Sequence, residues 1–287
     1  MLKFFFSFFY KLLVIFDKIT KKLLKKNFLL SIKELIEIDC YKKIKILDQN
    51  INFFLPNKLI EWRVDTFYIN EPETLEWINS FKNDEKIIFW DIGANIGLYS
   101  IYNALKNKNS TTISFEPSSS NLRTLTRNIY INNLQDKIKI FTLPLSEKEN
   151  SFLLMKEGDF KEGGALNSFG SDKNFEGKSF DSKMDYNLFG TSINFLLEKN
   201  LLEIPDYIKI DVDGIEHLIL KGSKKFLQDK KIKSLSIEIN ENFAEQHREV
   251  LNIMSESNFK FLHKKQNENL SINTKFSKTF NYVFEKQ

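Results

Sequence analysis

The chain begins with an apolar run, Phe4 to Phe16 (FFFSFFYKLLVIF), broken only by Ser7 and Lys11 and followed by the lysine-rich DKITKKLLKK. A membrane-spanning helix needs roughly 20 mostly apolar residues, which this run does not supply. The pattern predicts instead a basic amphipathic helix over residues 1–30. Residues 31–80 read as a mixed lead-in. Apolar alternation at Ile44–Leu47 and Ile51–Leu55, the turn Pro56-Asn57 and the stretch Leu59–Val64 predict short strands or a hairpin. In EPETLEWINSF, Pro72 sits just inside a helix start, Glu71 and Glu73 lie in its first turn, and Leu75, Ile78 and Phe81 give the apolar face.

Five β-rich runs follow at intervals: Ile87–Asp91, Thr111–Glu116, Lys137–Leu143, Tyr207–Val212 and Leu235–Ile239. Helical stretches lie between most of them, and a helix over Asn242 to Glu256 leads to two last strands, Lys260–His263 and Phe280–Phe284, suited to an antiparallel edge. This is the alternation of an α/β fold with a parallel sheet and helices on both faces. The interval 144–206 breaks the rhythm. It is rich in Gly, Ser, Asn and Asp and contains GGALNSFG at Gly163–Gly170, so we read it as a specificity insertion, with an idle surface excursion as the alternative.

Composition narrows the chemistry. At 287 residues with 42% hydrophobic and 28% charged positions the chain is globular, and its one cysteine, Cys40, excludes a disulfide scaffold and suits a cytoplasmic setting. Three histidines and one thiol cannot build Cys/His zinc clusters, so any metal would be held by oxygen. The net charge of +4 is unevenly placed: residues 1–30 carry seven lysines against Asp17, leaving residues 31–287 at −2. A body without a basic groove argues against a nucleic-acid partner. The lysines behind the aromatic run suit an anionic membrane surface, each contributing roughly 1 kcal/mol near it. Packing of the same helix on the protein's own body or in a dimer is the alternative. No small-residue cleavage site follows the run, against a secretory leader.

The strongest local signal is FWDIGANIGLYSI, residues 89–101: a strand ending in Asp91, then Gly93, Ala94, Asn95 and Gly97, then a helix. The glycines allow a tight turn and close backbone approach, and the helix start offers N–H groups to an anion. The spacing is not the G-x-G-x-x-G of dinucleotide enzymes. It suits a ligand ending in an amino acid, with a carboxylate meeting backbone N–H and an ammonium meeting Asp91. Glu116, ending the second strand before Pro117, lies where an acidic residue reaches ribose hydroxyls. A second cluster, YIKIDVDGIEHLILKG, delivers Asp211 and Asp213 at a strand end, with Glu216 and His217 opening the next helix. SLSIEINE places Glu238 and Asn240 at the neighbouring strand tip.

Together these residues resemble the FkbM-type methyltransferases. DIGANIGLYS is similar to that family's first motif, FEPS to its acidic ribose motif, IKIDVDGIEHLILKG to its K-I-D-V-E/D-G-x-E signature, SIEIN to its fifth strand and NYVFEK to its carboxyl end. Asp213 stands where Glu is commoner. The resemblance covers most of residues 55–287. It implies the class I methyltransferase (Rossmann-like) fold, a seven-stranded, mostly parallel sheet with its last pair antiparallel, placed here at 81–287 behind an N-terminal helical and strand extension. It also implies S-adenosyl-L-methionine as cofactor, bound by Asp91, Gly93, Ala94, Asn95, Gly97, Glu116 and Pro117.

The implied reaction is attack of an acceptor hydroxyl, on a saccharide, glycolipid or small metabolite, on the sulfonium methyl. Alignment of the reactants supplies much of the rate, and a base roughly 10²–10⁴-fold more. Asp211 or His217 is the candidate base, with Asp213 and Glu216 positioning it or the substrate. No metal is required. A magnesium-assisted variant would use Asp211, Glu238 and Asn240, which resemble the oxygen ligands of catechol-type enzymes. Two rival readings are a membrane-tethered nucleotide-fold protein without turnover and an NAD-dependent sugar oxidoreductase. Intact Asp91, Gly93, Glu116 and Asp211 oppose the first. Against the second, the pair Tyr102 and Lys106 comes too early in the chain.

Overall fold

The computed structural model describes residues 2–82, 85–266 and 274–287. Seven strands form one sheet: β3 (Ile87–Ile92), β4 (Ser110–Phe115), β5 (Ile138–Phe141), β9 (Tyr207–Ile210), β10 (Ser234–Asn240), β11 (Phe259–Lys265) and β12 (Thr279–Lys286). Their order is β11-β12-β10-β9-β3-β4-β5. The five strands from β10 to β5 run parallel, and β12 lies antiparallel between β10 and β11. The seven-stranded, mostly parallel sheet and its antiparallel edge are thus as the sequence implies, with strand bounds displaced by a few residues at most.

The central strand explains the layering. IIFWDI of β3 is buried throughout, and alternation sends successive side chains to opposite faces. Ile87 and Phe89 join one apolar cluster with Ile101 of α6 (Leu98–Lys106) and Leu125 of α7 (Ser119–Ile131). Ile88, Trp90 and Ile92 join another with α8 (Ile193–Glu198), α9 (Glu216–Lys221) and α10 (Ala244–Glu256). Helices therefore cover both faces, and Asp91 falls on the α6 side.

The lead-in departs from its expected form in two places. The predicted helix over 1–30 is broken: α1 spans Leu2–Leu24, Lys25 takes a positive φ of 54°, and α2 (Phe28–Asp39) starts afresh with the Asn27 side chain accepting from Leu30 N. The hairpin is present as β1 (Tyr41–Ile46) and β2 (Gln49–Phe54). Leu59–Val64, however, is helical. Within α3 (Lys58–Asp65), Asn57 caps the first turn by accepting from Leu59 N and Ile60 N, and Ile60 and Val64, four apart, are the buried residues. A cap with one-turn apolar spacing outweighs the β-rich composition. A short α4 (Phe67–Asn70) and α5 (Pro72–Asn79) follow. Phe53, Ile60, Phe67 and Trp77 pack in the same cluster as Phe89, so one core runs across residues 80 and 81.

Asparagines of α7 hold this lead-in. Asn128 Oδ1 accepts from Phe54 N at 2.8 Å while its Nδ2 donates to Ile96 O at 2.9 Å, and Asn132 bonds both N and O of Asn52.

Residues 144–206 are largely folded. They form a three-stranded antiparallel sheet, β6 (Ser151–Glu157) between β7 (Ser168–Phe169) and β8 (Met184–Gly190), followed by α8. Met155 and Phe169 pack on Ile215 beside the main sheet. The turn at Gly163–Gly170 is stitched inward: Gly163 N donates to Asn121 Oδ1, Gly164 O accepts from Asn95 and Asn121, and Leu166 N donates to Asp213.

Replacing Asn128 by Ala leaves a buried N–H and a buried C=O unpaired, so the variant should lose about 1–3 kcal/mol of stability in urea denaturation. An unchanged midpoint would show that the amide bridge does not hold the lead-in.

Candidate active site

A cavity of about 420 Å³ opens at the carboxyl ends of β3, β4, β9 and β10, the edge where open α/β sheets take ligands. Its wall combines the turn after β3, Glu116 and Pro117 after β4, Asp211 to Asp213 after β9, Glu238 of β10, the inward turn of the insertion, and Arg63, Phe67 and Glu71 of the lead-in.

The turn after β3 is tightly determined. Gly93 has φ +87°, and a Cβ there would meet Asp211 O at 1.8 Å. Only glycine fits such a position. Gly97, also at positive φ, starts α6. Gly93, Ala94 and Asn95 line the cavity, whereas Gly97 does not. The N–H groups of Gly93 and Ala94 both donate to Phe115 O at 3.0 Å, so they are not the ones that meet a ligand carboxylate. Asn95 sits at φ 50°, donates from N to Glu116 Oε2 at 2.8 Å, and keeps its buried Oδ1 without a partner among the described residues. The second Glu116 oxygen accepts from Ser118 N at 2.9 Å. Burial pushes the Glu116 carboxyl up to about 8, against these N–H groups, which favour the anion.

Asp91 stands off the cavity wall. It is buried beneath the cavity wall, where its Oδ2 accepts from Ser100 Oγ at 2.5 Å, and Ser100 Oγ is 2.7 Å from Ser114 Oγ. Its Oδ2 therefore braces the start of α6, while its Oδ1 is buried without a partner among the described residues. Burial raises its pKa and the Lys209 ammonium opposes the rise.

Register explains the grouping. Asp91 pairs with Ser114 on one side and Lys209 on the other, and Lys209 with Ser236, so these side chains form one row on the α6 face. Two residues further along the strands come Gly93, Asp211 and Glu238, at the sheet's rim. Carboxylate oxygens of Asp211, Asp213 and Glu238 lie within 4.8 Å of one another. Burial pushes Asp213 up to about 6, helped by the Asp211 charge, although Leu166 N donates to it at 2.7 Å. Glu238 is raised for the same two reasons, burial and Asp211.

Three residues expected at the site stand elsewhere. Glu216 is wholly buried, accepting from Val212 N, Gly214 N and Gln246 Nε2, and fastens the loop after β9; burial pushes it up to about 7. His217 is 4% exposed, edge-on to Phe243 at 5.6 Å and off the cavity wall. Burial lowers its pKa to about 4, leaving it neutral. Asn240 spends its amide on Phe175 O and Asn242 N, so Asp213 takes its place beside Asp211 and Glu238.

The residue that sequence reasoning missed is Lys209. It is 1% exposed, its Nζ lies 2.5 Å from Asp211 Oδ2, and it sits 4.9 Å from the Tyr99 ring centre. Burial alone would lower its pKa, but Asp211, Glu71 and Asp91 raise it and keep it charged. The signal was present as a lysine inside the apolar YIKI, which a strand buried on both faces can hold only with anions nearby. Glu71 was read as a helix-start charge. It is the N-cap residue of α5 and also stands half-buried on the cavity wall, where it accepts from Thr74 Oγ1 at 3.1 Å and desolvation pushes it up to about 7 despite Lys209.

The sheet order with its antiparallel β12 and the cavity at the strand ends define a class I methyltransferase fold. The family model for the methyltransferase FkbM domain matches residues 91–261, more than half of the chain. The chain belongs to the FkbM methyltransferase family. Among solved structures it is similar to methyltransferase FkbM from Methylobacillus flagellatus, at 15% identity and TM-score 0.48, covering 72% of this chain and 45% of that one. It is similar also to TYW2 of P. horikoshii in complex with MeSAdo (12% identity, TM-score 0.45, 86% and 70% covered). The tRNA methyltransferase TrmK of B. subtilis matches at 13% identity and TM-score 0.40, with 75% and 66% covered. The chain thus spans less than half the length of the first of these. No curated protein matches it.

Lys209→Met should cost about 3–5 kcal/mol at pH 8, because the buried carboxylates lose their counter-charge. The Asp91 and Glu71 carboxyls are raised, so the variant regains stability as pH falls and they take up protons. Urea denaturation at pH 8 and pH 5.5 reads this; a loss equal at both would show that the carboxylates do not feel the ammonium.

Proposed function

We propose that this protein is an S-adenosyl-L-methionine-dependent O-methyltransferase acting on a hydroxyl of a saccharide, glycolipid or small metabolite. The observation that carries the reading is one cavity with two chemically distinct ends. At one end Glu116, Pro117 and the Gly93–Asn95 turn offer a buried carboxyl, a close backbone and the unpartnered Asn95 Oδ1. These fit the ribose hydroxyls and amino-acid end of the cofactor. At the other end Asp211, Asp213 and Glu238 offer acceptors for a hydroxyl proton. When bound, the cofactor supplies an electrophilic methyl on sulfur.

The chain's own groups do the rest. Glu116 orients the ribose, while the insertion turn, tied to Asn95, Asn121 and Asp213, closes over the cavity and excludes water. Asp211 is held by Lys209 and positions the acceptor. Asp213, ionised at neutral pH with a pKa near 6, takes the hydroxyl proton. His217 and Glu216 keep supporting roles, the first as packing behind α9 and the second as the clasp of the Asp213 loop. We place the reaction in the cytoplasm at the inner face of a membrane, where lipid-linked saccharides are available.

A magnesium-assisted reading draws on the proximity of Asp211, Asp213 and Glu238, an oxygen set suited to that ion. Lys209 weakens it, since the ammonium already neutralises Asp211 from 2.5 Å.

Glu116→Ala should weaken S-adenosyl-L-methionine binding by roughly 1–3 kcal/mol through loss of a buried hydrogen-bonding carboxyl. Calorimetric titration of both forms, with and without magnesium, measures this. Equal affinity of the two forms would misplace the cofactor, and binding that requires magnesium would favour the metal reading. Radiolabelled methyl transfer into glycan and lipid fractions then tests the acceptor class. With an acceptor found, the rate should fall as pH drops through about 6, where Asp213 is protonated. Asp213→Asn should remove that limb and slow transfer by about 10²–10⁴-fold. An unshifted pH profile would assign the base elsewhere.

A further inference from the structure

Helix α1 carries a surface that the cavity does not use. No residue of α1 or α2 whose side chain is described is buried, and α1 leaves its large apolar groups in the open. At 100° per residue, Phe5, Phe8, Phe9, Leu12, Ile15 and Ile19 form a stripe about 120° wide along about four turns. Each of these six is 47% or more exposed. Lys3 and Lys21 lie on the opposite side, and Lys11, Lys18 and Lys22 run along one flank of the stripe. Soluble surfaces rarely present a contiguous apolar patch of this kind. Yet the stripe lies turned away from the protein body.

The hairpin has a defined attachment. Asp17, the one acid of α1, is spent on Leu29 N at 2.9 Å, and Phe16 meets the edge of Phe28 with ring centres 4.8 Å apart. From α2, Glu37 reaches Arg123 and Arg127 of α7 at 2.6 and 2.5 Å. Arg123 also holds Glu162, the neighbour of the Gly163–Gly164 turn at the cavity. The apolar stripe is thereby fastened, through two ion-paired arginines, to the segment that covers the site.

We propose that α1 is a docking surface for an anionic phospholipid bilayer, lying flat in the interface with its aromatic stripe in the acyl boundary and its lysines among the headgroups. Charge selects this occupant over a second copy of the chain. Two such helices laid stripe to stripe and antiparallel would set their flanking Lys11, Lys18 and Lys22 along the same side of the pair, where like charges repel. An anionic surface instead pairs with every one of them. No helix among the described residues is long and apolar enough to cross the membrane, so the contact is peripheral. The inference deepens the proposed site of action, on which its functional meaning rests, but lipid binding is measured separately from methyl transfer.

The test is co-sedimentation of the full chain with vesicles of phosphatidylcholine alone and of phosphatidylcholine with phosphatidylserine. Binding should favour the anionic vesicles and fall with added salt. Phe5→Ser/Phe8→Ser/Phe9→Ser should weaken it at least tenfold, and Lys3→Glu/Lys11→Glu/Lys18→Glu/Lys22→Glu about 100-fold or more. All these positions are exposed, and unchanged S-adenosyl-L-methionine titration of the variants serves as the control for folding. Absence of vesicle binding, equal binding to both vesicle types, or a dimer lost in the Phe→Ser variant without vesicle binding would each overturn the proposal. If vesicles bind as expected but the cofactor does not, the methyltransferase reading fails and the docking surface stands.

Discussion

The Lys209 ammonium is the charge around which the carboxyl edge of this sheet is organised. Asp91, Asp211 and Glu71 converge on it from β3, the end of β9 and the start of α5. Buried carboxylates repel one another and resist ionisation, and each alone would be costly to place in an apolar layer. One lysine with its stem buried in the strand offsets several of them at once. The price is fragility, because the loss of this one ammonium is felt by all of them.

That arrangement divides the acids of one short segment into different tasks. In DVDGIE, Asp211 and Asp213 reach the cavity, while Glu216 turns back to take the N–H groups of Val212 and Gly214. The loop holds Asp213 at φ 62° and Gly214 at φ 116°, conformations that need such an internal clasp. Asp91 and Ser100 perform a comparable service one strand away, bracing α6 from below. Much of the acidic character of the motifs therefore shapes the loops that carry the cavity groups.

The insertion completes the enclosure by an economical device. Asn95 and Asn121 both donate to Gly164 O, Asn121 accepts from Gly163 N, and Asp213 accepts from Leu166 N. Groups at both ends of the cavity thus share the turn that covers it. The ion pairs from Glu162 through Arg123 to Glu37 continue the connection to the amphipathic hairpin. They are partly exposed and contribute orientation more than stability.

The chain's own pattern determined the α/β class, the order of the sheet strands along the sequence, the antiparallel last pair and the cavity positions of Gly93, Glu116, Asp211, Asp213 and Glu238. These follow from local rules: apolar runs make buried strands, glycines make turns at positive φ, and loops at strand ends receive the acids. The tertiary structure decided what depends on register and on which face of a strand a residue occupies. Asp91 and Lys209 are 118 positions apart in sequence, yet parallel pairing of β3 with β9 sets them side by side. His217 and Asn240 looked like site residues because they stand beside the acidic motifs. The turn into α9 carries the imidazole against Phe243, and the amide of Asn240 is taken up by Phe175 and Asn242. Glu71 lay beyond reach of any local rule, since only the packing of α5 against the sheet brings a helix-start carboxylate to a cavity built from strands later in the chain.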